Sequence, residues 1–168
     1  MKTSVLIGMV LGGLGVLGTA SVLAQDPAGQ GSMTIVAPGD LKWTDAPPAL
    51  PKGAKMAVLY GDPGKSGLFV MRVKLPANYK VAPHWHPADE NLSVVSGTLF
   101  IGHGDKFDAA AGKPIATGAY AMMPAKMHHF AYTKKETVFD LSAMGPWGIT
   151  YVNPADDPSK TAATTTAK

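Results

Sequence analysis

Residues 68–75, "LFVMRVKL", alternate strictly between two kinds of side chain. Phe69, Met71, Val73 and Leu75 fall on one face, and Val70, Arg72 and Lys74 on the other. A period of two marks a strand with one face in a core. Short apolar runs recur downstream in "TLFIG", "YAMMPA", "HHFAYT", "TVFDLSAMG" and "WGITYV". Upstream, "MTIVAPGDLKW" and "APPALPKGAKMAVLYGDPGKSG" alternate apolar runs with Pro and Gly turns. No long amphipathic helix and no internal repeat interrupts this pattern; only residues 105–111 read as a helical turn. About ten short strands predict an all-β sandwich or barrel.

Both ends depart from the pattern. The first residues, "MKTSVLIGMVLGGLGVLGTASVLAQ", place Lys2 before a long uncharged run that ends in Val22-Leu23-Ala24. Small residues before Gln25 suit signal peptidase, so residues 1–24 are expected to be a cleaved signal peptide. The run is long enough to weigh as a transmembrane anchor, but its glycines and the cleavage site favour removal. The mature protein is then periplasmic or secreted, with no membrane partner after cleavage. Residues 25–53 read as a lead-in with early strands, 54–153 as the main domain, and 154–168 as a small, polar, flexible tail.

Composition narrows the function. Nineteen glycines and fourteen prolines suit turns. There is no cysteine, which excludes disulfides, thiolate metal sites and cysteine nucleophiles. The formal charge is +3, the lysines are scattered, and Arg72 is the only arginine. Nucleic-acid sites lean on arginine and on a clustered basic face, so no nucleic-acid partner is expected.

Against this background, "HWHPADENLSVVSGT" at residues 84–98 holds an unusual density of ligand chemistry. His84 and His86 are two apart, so on a strand they share a side. Glu90 follows a turn at Pro87 and shares a face with Leu92 and Val94. A carboxylate on an apolar face needs a positive partner. Two imidazoles aimed at the same interior point to a divalent metal as that partner. Of five histidines, two more stand together at 128 and 129. Imidazole and carboxylate donors without sulfur suit Fe, Mn, Ni, Cu or Zn.

These residues resemble the two motifs of the cupin family. The first, G-x5-H-x-H-x(3,4)-E-x6-G, is matched by His84, His86, Glu90 and Gly97, with Asn78 at the leading glycine. The second, G-x5-P-x-G-x2-H-x3-N, is matched by Gly118, Pro124 and His129, with Lys126 for the glycine and Thr133 for the asparagine. The wider wording, "PHWHPADE", "MPAKMHHFAYT" and "GPWGITYVNPADDP", is similar to a group of small exported cupins. The cupin domain of zinc-binding anti-sigma factors is a more distant relative.

The resemblance implies a double-stranded β-helix, the cupin jelly-roll barrel, with one divalent transition metal held by His84, His86, Glu90 and His129. In the exported group the position of His128 is often proline, which favours His129 as the ligand. Homodimers are frequent among cupins, and a small-molecule ligand or substrate is implied. Two functions follow: a metalloenzyme of dioxygenase, isomerase or lyase type, or a non-catalytic metal or small-ligand binding or sensing protein of the envelope. An open apolar pocket over the metal favours the first, and a buried fifth ligand the second.

The neighbouring residues are expected to be bystanders. His128 should point away from its partner, and His103 should face solvent in a glycine-rich turn. Asp89 reads as a solvated turn residue, with a hydrogen bond to a ligand histidine as its alternative. Trp85 should pack away from the metal. Met122 and Met123 should face opposite ways, as core fillers rather than copper ligands. Asn78 and Lys126 replace glycines, which predicts altered loop conformations there.

Overall fold

The computed structural model describes residues 33–160, and the expected signal peptide lies outside them. The alternation at 68–75 is realised as a nine-residue strand whose Phe69, Met71, Val73 and Leu75 are all buried. Eleven strands are formed among the described residues. They are β1 (Thr44–Asp45), β2 (Lys55–Tyr60), β3 (Gly67–Leu75), β4 (Lys80–Trp85), β5 (Glu90–Ser96), β6 (Thr98–His103), β7 (Lys113–Ala116), β8 (Tyr120–Met123), β9 (His129–Thr133), β10 (Thr137–Gly145) and β11 (Thr150–Tyr151).

Two sheets result, in the orders β1-β2-β3-β10-β5-β8 and β11-β4-β9-β6-β7. The pairings are antiparallel. From β3 onward the chain passes from one sheet to the other between most successive strands, which is the jelly-roll path. The inner faces of both sheets close on one core that includes Phe69, Leu75, Leu92, Leu99 and Phe139. The expected all-β jelly roll is the one observed. The helical turn expected at 105–111 is a single 3-10 turn at Ala109–Ala111, capped by the Asp108 carboxylate, which accepts from the Ala110 N–H at 2.8 Å.

The strand register is pinned from outside as well. Arg72 and Asp140 are cross-strand partners on β3 and β10, and the guanidinium donates to both carboxylate oxygens, at 2.7 and 2.8 Å. Such a two-point bond fixes geometry more firmly than a single contact. On the outer face of the five-stranded sheet, the loop 104–112 lays Phe107 against Phe130 and Tyr132. Gly102 makes room for this, since a Cβ there would lie 2.0 Å from the Phe130 ring.

The replaced motif glycines correct one expectation. Asn78 and Lys126 have φ of 58° and 63°, the left-handed conformation that glycine adopts freely. The loops keep this backbone with side chains in place, at a cost in strain, rather than changing shape. Thr133, at the motif asparagine, is buried; its hydroxyl donates to the Pro76 carbonyl at 2.6 Å and accepts from the Tyr79 N–H at 3.1 Å. It thereby holds the β3–β4 turn.

Toward the C-terminus, Asn153 caps a 3-10 turn at Pro154–Asp156. Residues 161–168 lie outside the described part. Among the described residues no helix is long and apolar enough to cross a membrane.

Candidate metal centre

The phase of β4 decides what enters the barrel. Val81 pairs with Ala131, and His84 pairs with His129. Three steps on β4 therefore match two on β9, which places a bulge around Ala82 and Pro83. Plain alternation from Val81 would carry Pro83 and Trp85 inward. The extra residue resets the phase, so Val81, His84 and His86 all line the cavity. Pro83 sits where a strand tolerates proline, at the irregularity. Trp85 is half-buried and pairs with Thr150 of β11, away from the cavity as expected.

Glu90 reaches the same place from the other sheet. It opens β5, whose Glu90, Leu92 and Val94 are buried on one face. His129 opens β9 of the five-stranded sheet. Two hydrogen bonds tie the turns that carry these residues: Lys126 N–H donates to the His86 carbonyl at 2.8 Å, and Ala125 N–H donates to the Asp89 carboxylate at 2.8 Å. Asp89 is thus an exposed turn residue with a job, bracing the opposite loop rather than a ligand histidine.

The four polar side chains are nearly sealed: His84, His86, Glu90 and His129 are 4%, 7%, 6% and 3% exposed. One ring nitrogen from each histidine lies within 4.8 Å of the others. The Glu90 Oε2 is 3.3 Å from His129 Nε2 and 3.6 Å from His86 Nε2. Each Nδ1 contacts a backbone carbonyl, which accepts only, so each Nδ1 carries the proton. The acceptors are Ala82 at 2.7 Å, Gly148 at 2.7 Å and Met127 at 3.0 Å. In its neutral form each ring is thereby held in the tautomer that turns the Nε2 lone pair inward. This is the usual backing of metal-binding histidines.

Electrostatics agree. Burial pushes His84 well below its ordinary range, and the neighbouring His129 and His86 push it further. Burial also lowers His86, although Glu90 and the Gly148 carbonyl oppose it. His129 is buried too, but its bond to Glu90 and that carboxylate's charge outweigh the burial and raise it. Burial thus favours the neutral imidazole that a divalent cation needs at His84 and His86, whereas Glu90 favours a proton on His129 that a bound cation would displace.

Two contributors lie in the segment "GPWGITYV" but outside both motifs, so residue type alone does not mark them. Trp147 stacks on His86, with ring centroids 4.2 Å apart and planes 15° from parallel. Gly148 acts only through its carbonyl, and a backbone acceptor leaves no trace in residue type. His128 bonds Asp105 at 2.6 Å outside the cluster, as expected. Met122 and Met123 face opposite ways as expected, but only Met123 fills the core; Met122 is exposed. His103 is exposed, though it ends β6 instead of lying in a turn.

Beneath the cluster lies a cavity of about 520 Å³. Its walls come from both sheets and from the segment Ala46–Leu50. Tyr151 pins that segment by donating to the Ala49 carbonyl at 2.7 Å, and Tyr79 donates to the Pro51 carbonyl.

The family model of the ChrR cupin-like domain matches residues 31–147. The chain belongs to this cupin family. No curated protein matches it. Among solved structures, this cupin is similar to the polyketide cyclase RemF from Streptomyces resistomycificus, at 19% identity and a TM-score of 0.62, over 79% of this chain and 94% of that one. It is also similar to a putative acetylacetone dioxygenase from Methylibium petroleiphilum PM1, at 20% identity and a TM-score of 0.60, over 80% and 96%. An RmlC-like cupin from Shewanella frigidimarina aligns at 14% identity and a TM-score of 0.52, over 67% and 91%. At these identities the likeness is one of fold, and function must be argued from the site.

Proposed function

We propose that this cupin is an exported protein that holds one divalent transition metal through His84, His86, Glu90 and His129 and binds a small organic molecule beside it. The observation that carries this reading is the set of three backbone carbonyls that fix the Nε2 lone pairs inward. The donor set fits the group: three imidazoles and a carboxylate, without sulfur, suit Fe, Mn, Ni, Cu or Zn. A metal so bound supplies Lewis acidity toward an oxygen of the organic ligand. The protein's own residues hold the donors, exclude water and shape the space.

The cavity favours the enzymatic form of this reading, of dioxygenase, isomerase or lyase type. A site meant only to store a metal needs no such space, and the metal-binding cluster among the described residues holds no fifth donor. The second form, a non-catalytic binding or sensing protein of the envelope, is the one a closed site would support. Azide separates an open site from a closed one. With Cu(II) or Fe(II) loaded, an open site shifts its optical spectrum on azide addition; a spectrum that does not move supports the closed, binding form.

The metal reading is tested on protein purified from its own host compartment. The expected result is about one transition-metal ion per chain. Metal-free protein that also ignores added Zn(II), Fe(II) and Ni(II) overturns it. Export is tested by intact mass: the mature chain should start at Gln25, and a retained leader in the membrane fraction would overturn the export reading.

A further inference from the structure

We infer that the organic ligand is a hydrophobic molecule with one metal-coordinating, oxygen-bearing head group, and not a sugar or a phosphorylated compound. The head rests on the metal reading above; the body rests on the cavity alone. Among the described residues, the polar side chains lining the cavity are His84, His86, Glu90 and His129, together with the indole of Trp147. No Lys, Arg, Ser, Thr, Asn or Gln side chain faces it.

That composition decides the class. A phosphate group carries more charge than one metal ion already paired with Glu90 can match, and the walls add no Lys or Arg side chain. A buried hydroxyl left without a partner weakens binding by about tenfold or more. A polyol would carry several such groups into this space. The three Nδ1 atoms are committed to carbonyls, so the metal and the Trp147 indole N–H are the groups on these side chains left to meet a polar head. The walls are built from residues such as Met71, Leu92, Leu99, Ile101, Phe139 and Leu141, which reward hydrocarbon or aromatic surface. A volume of about 520 Å³ lies in the range of sites that enclose a whole small ligand. The pinned segment Ala46–Leu50 closes part of the wall, so the length of chain that fits has a ceiling.

The test titrates Ni(II)- or Zn(II)-loaded protein with straight-chain alkyl hydroxamates, from acetohydroxamate to octanohydroxamate, by calorimetry. Metal content per chain is measured on the same sample. Affinity should rise about fourfold for each added methylene, then stop rising once the cavity is full. The longer homologues should show a more negative heat-capacity change. Gluconohydroxamate, with the same head on a polyhydroxylated body, should bind no tighter than acetohydroxamate. Val73→Phe, which fills cavity space away from the histidines, should keep the metal and acetohydroxamate affinity while losing the gain with chain length. Equal affinities along the wild-type series, or tightest binding of gluconohydroxamate, overturns the inference whatever the variant does. If wild type takes up no metal, the metal reading fails by itself. The cavity is then read in metal-free protein with 1-alkanols of increasing length: rising affinity upholds the hydrophobic body, and a flat series overturns it.

Discussion

The Glu90 carboxylate and His129 Nε2 lie 3.3 Å apart although they come from opposite sheets, one opening β5 and the other β9. Each is buried, and each lacks an adequate partner on its own strand. Their meeting is therefore a property of how the two sheets close.

Replacing Glu90 by Gln tests this pair. The shape stays while the only carboxylate of the cluster is lost. Without metal, the His129 pKa should fall, because burial remains and the charge that opposed it is gone. An NMR titration of the ring protons reads this. Metal affinity should drop by more than the roughly 10–100-fold typical of residues that merely support a ligand. Unchanged affinity in a chelator competition would remove Glu90 from the ligand set.

His129→Ala and His128→Ala should behave oppositely. The first takes one of three inward Nε2 donors and should strip most of the metal. The second breaks only the outer bond to Asp105 and should leave stoichiometry unchanged. Metal analysis of the two purified variants decides it, and a reversed result would mean that β9 enters the barrel in the other phase.

Acid should destabilise the metal-free protein. His84 and His86 have folded pKa values below the unfolded value of about 6.5, so below that pH the unfolded chain binds more protons. Their contribution is complete above about pH 6.5 and is lost as pH falls toward the folded values. His129 has the opposite sign: its contribution is present below about pH 6.5 and is lost as pH rises through its raised value. With two lowered groups against one raised, the urea midpoint should fall from about pH 7 to about pH 5. Bound metal should steepen the loss, since it competes with protons for the same Nε2 atoms. A midpoint that climbs toward acid would assign the balance to the His129–Glu90 pair.

Two backbone positions give stability predictions of opposite sign. Lys126 occupies φ +63° with a side chain, so Lys126→Gly relieves strain and should stabilise by about 0.5–1 kcal/mol, after the entropy cost of glycine. Gly97 has φ +84°, and a Cβ there would lie 2.6 Å from the Glu136 carbonyl oxygen. Gly97→Ala should destabilise by about 2 kcal/mol or more. Chemical denaturation measures both, and a destabilised Lys126→Gly would show that the lysine side chain contributes more than its backbone strain costs.

Much of this protein is legible along the chain. The alternation of residues 69–75 fixes the buried face of β3, because the period of a strand is local. The spacing of His84, His86 and Glu90 marks the ligand chemistry, since few other uses of buried polar residues need it. The face shared by Glu90, Leu92 and Val94 and the opposite orientations of Met122 and Met123 follow from the same period.

Tertiary structure decided the rest. Period two says which residues share a face, not which face is inside, and the bulge at Ala82–Pro83 is what turns His84 and His86 inward. A bulge is defined by its partner strand, β9, more than forty residues away in sequence. The carbonyls that orient the rings belong to Ala82, Met127 and Gly148, and a carbonyl is common to all residues. The ring that stacks on His86 and the segment that walls the cavity come from Trp147 and from Ala46–Leu50, at opposite ends of the domain. Residue type and spacing therefore determined which donors are present. Chain closure alone determined where their lone pairs point and what space they face, because both depend on contacts between segments far apart in the chain.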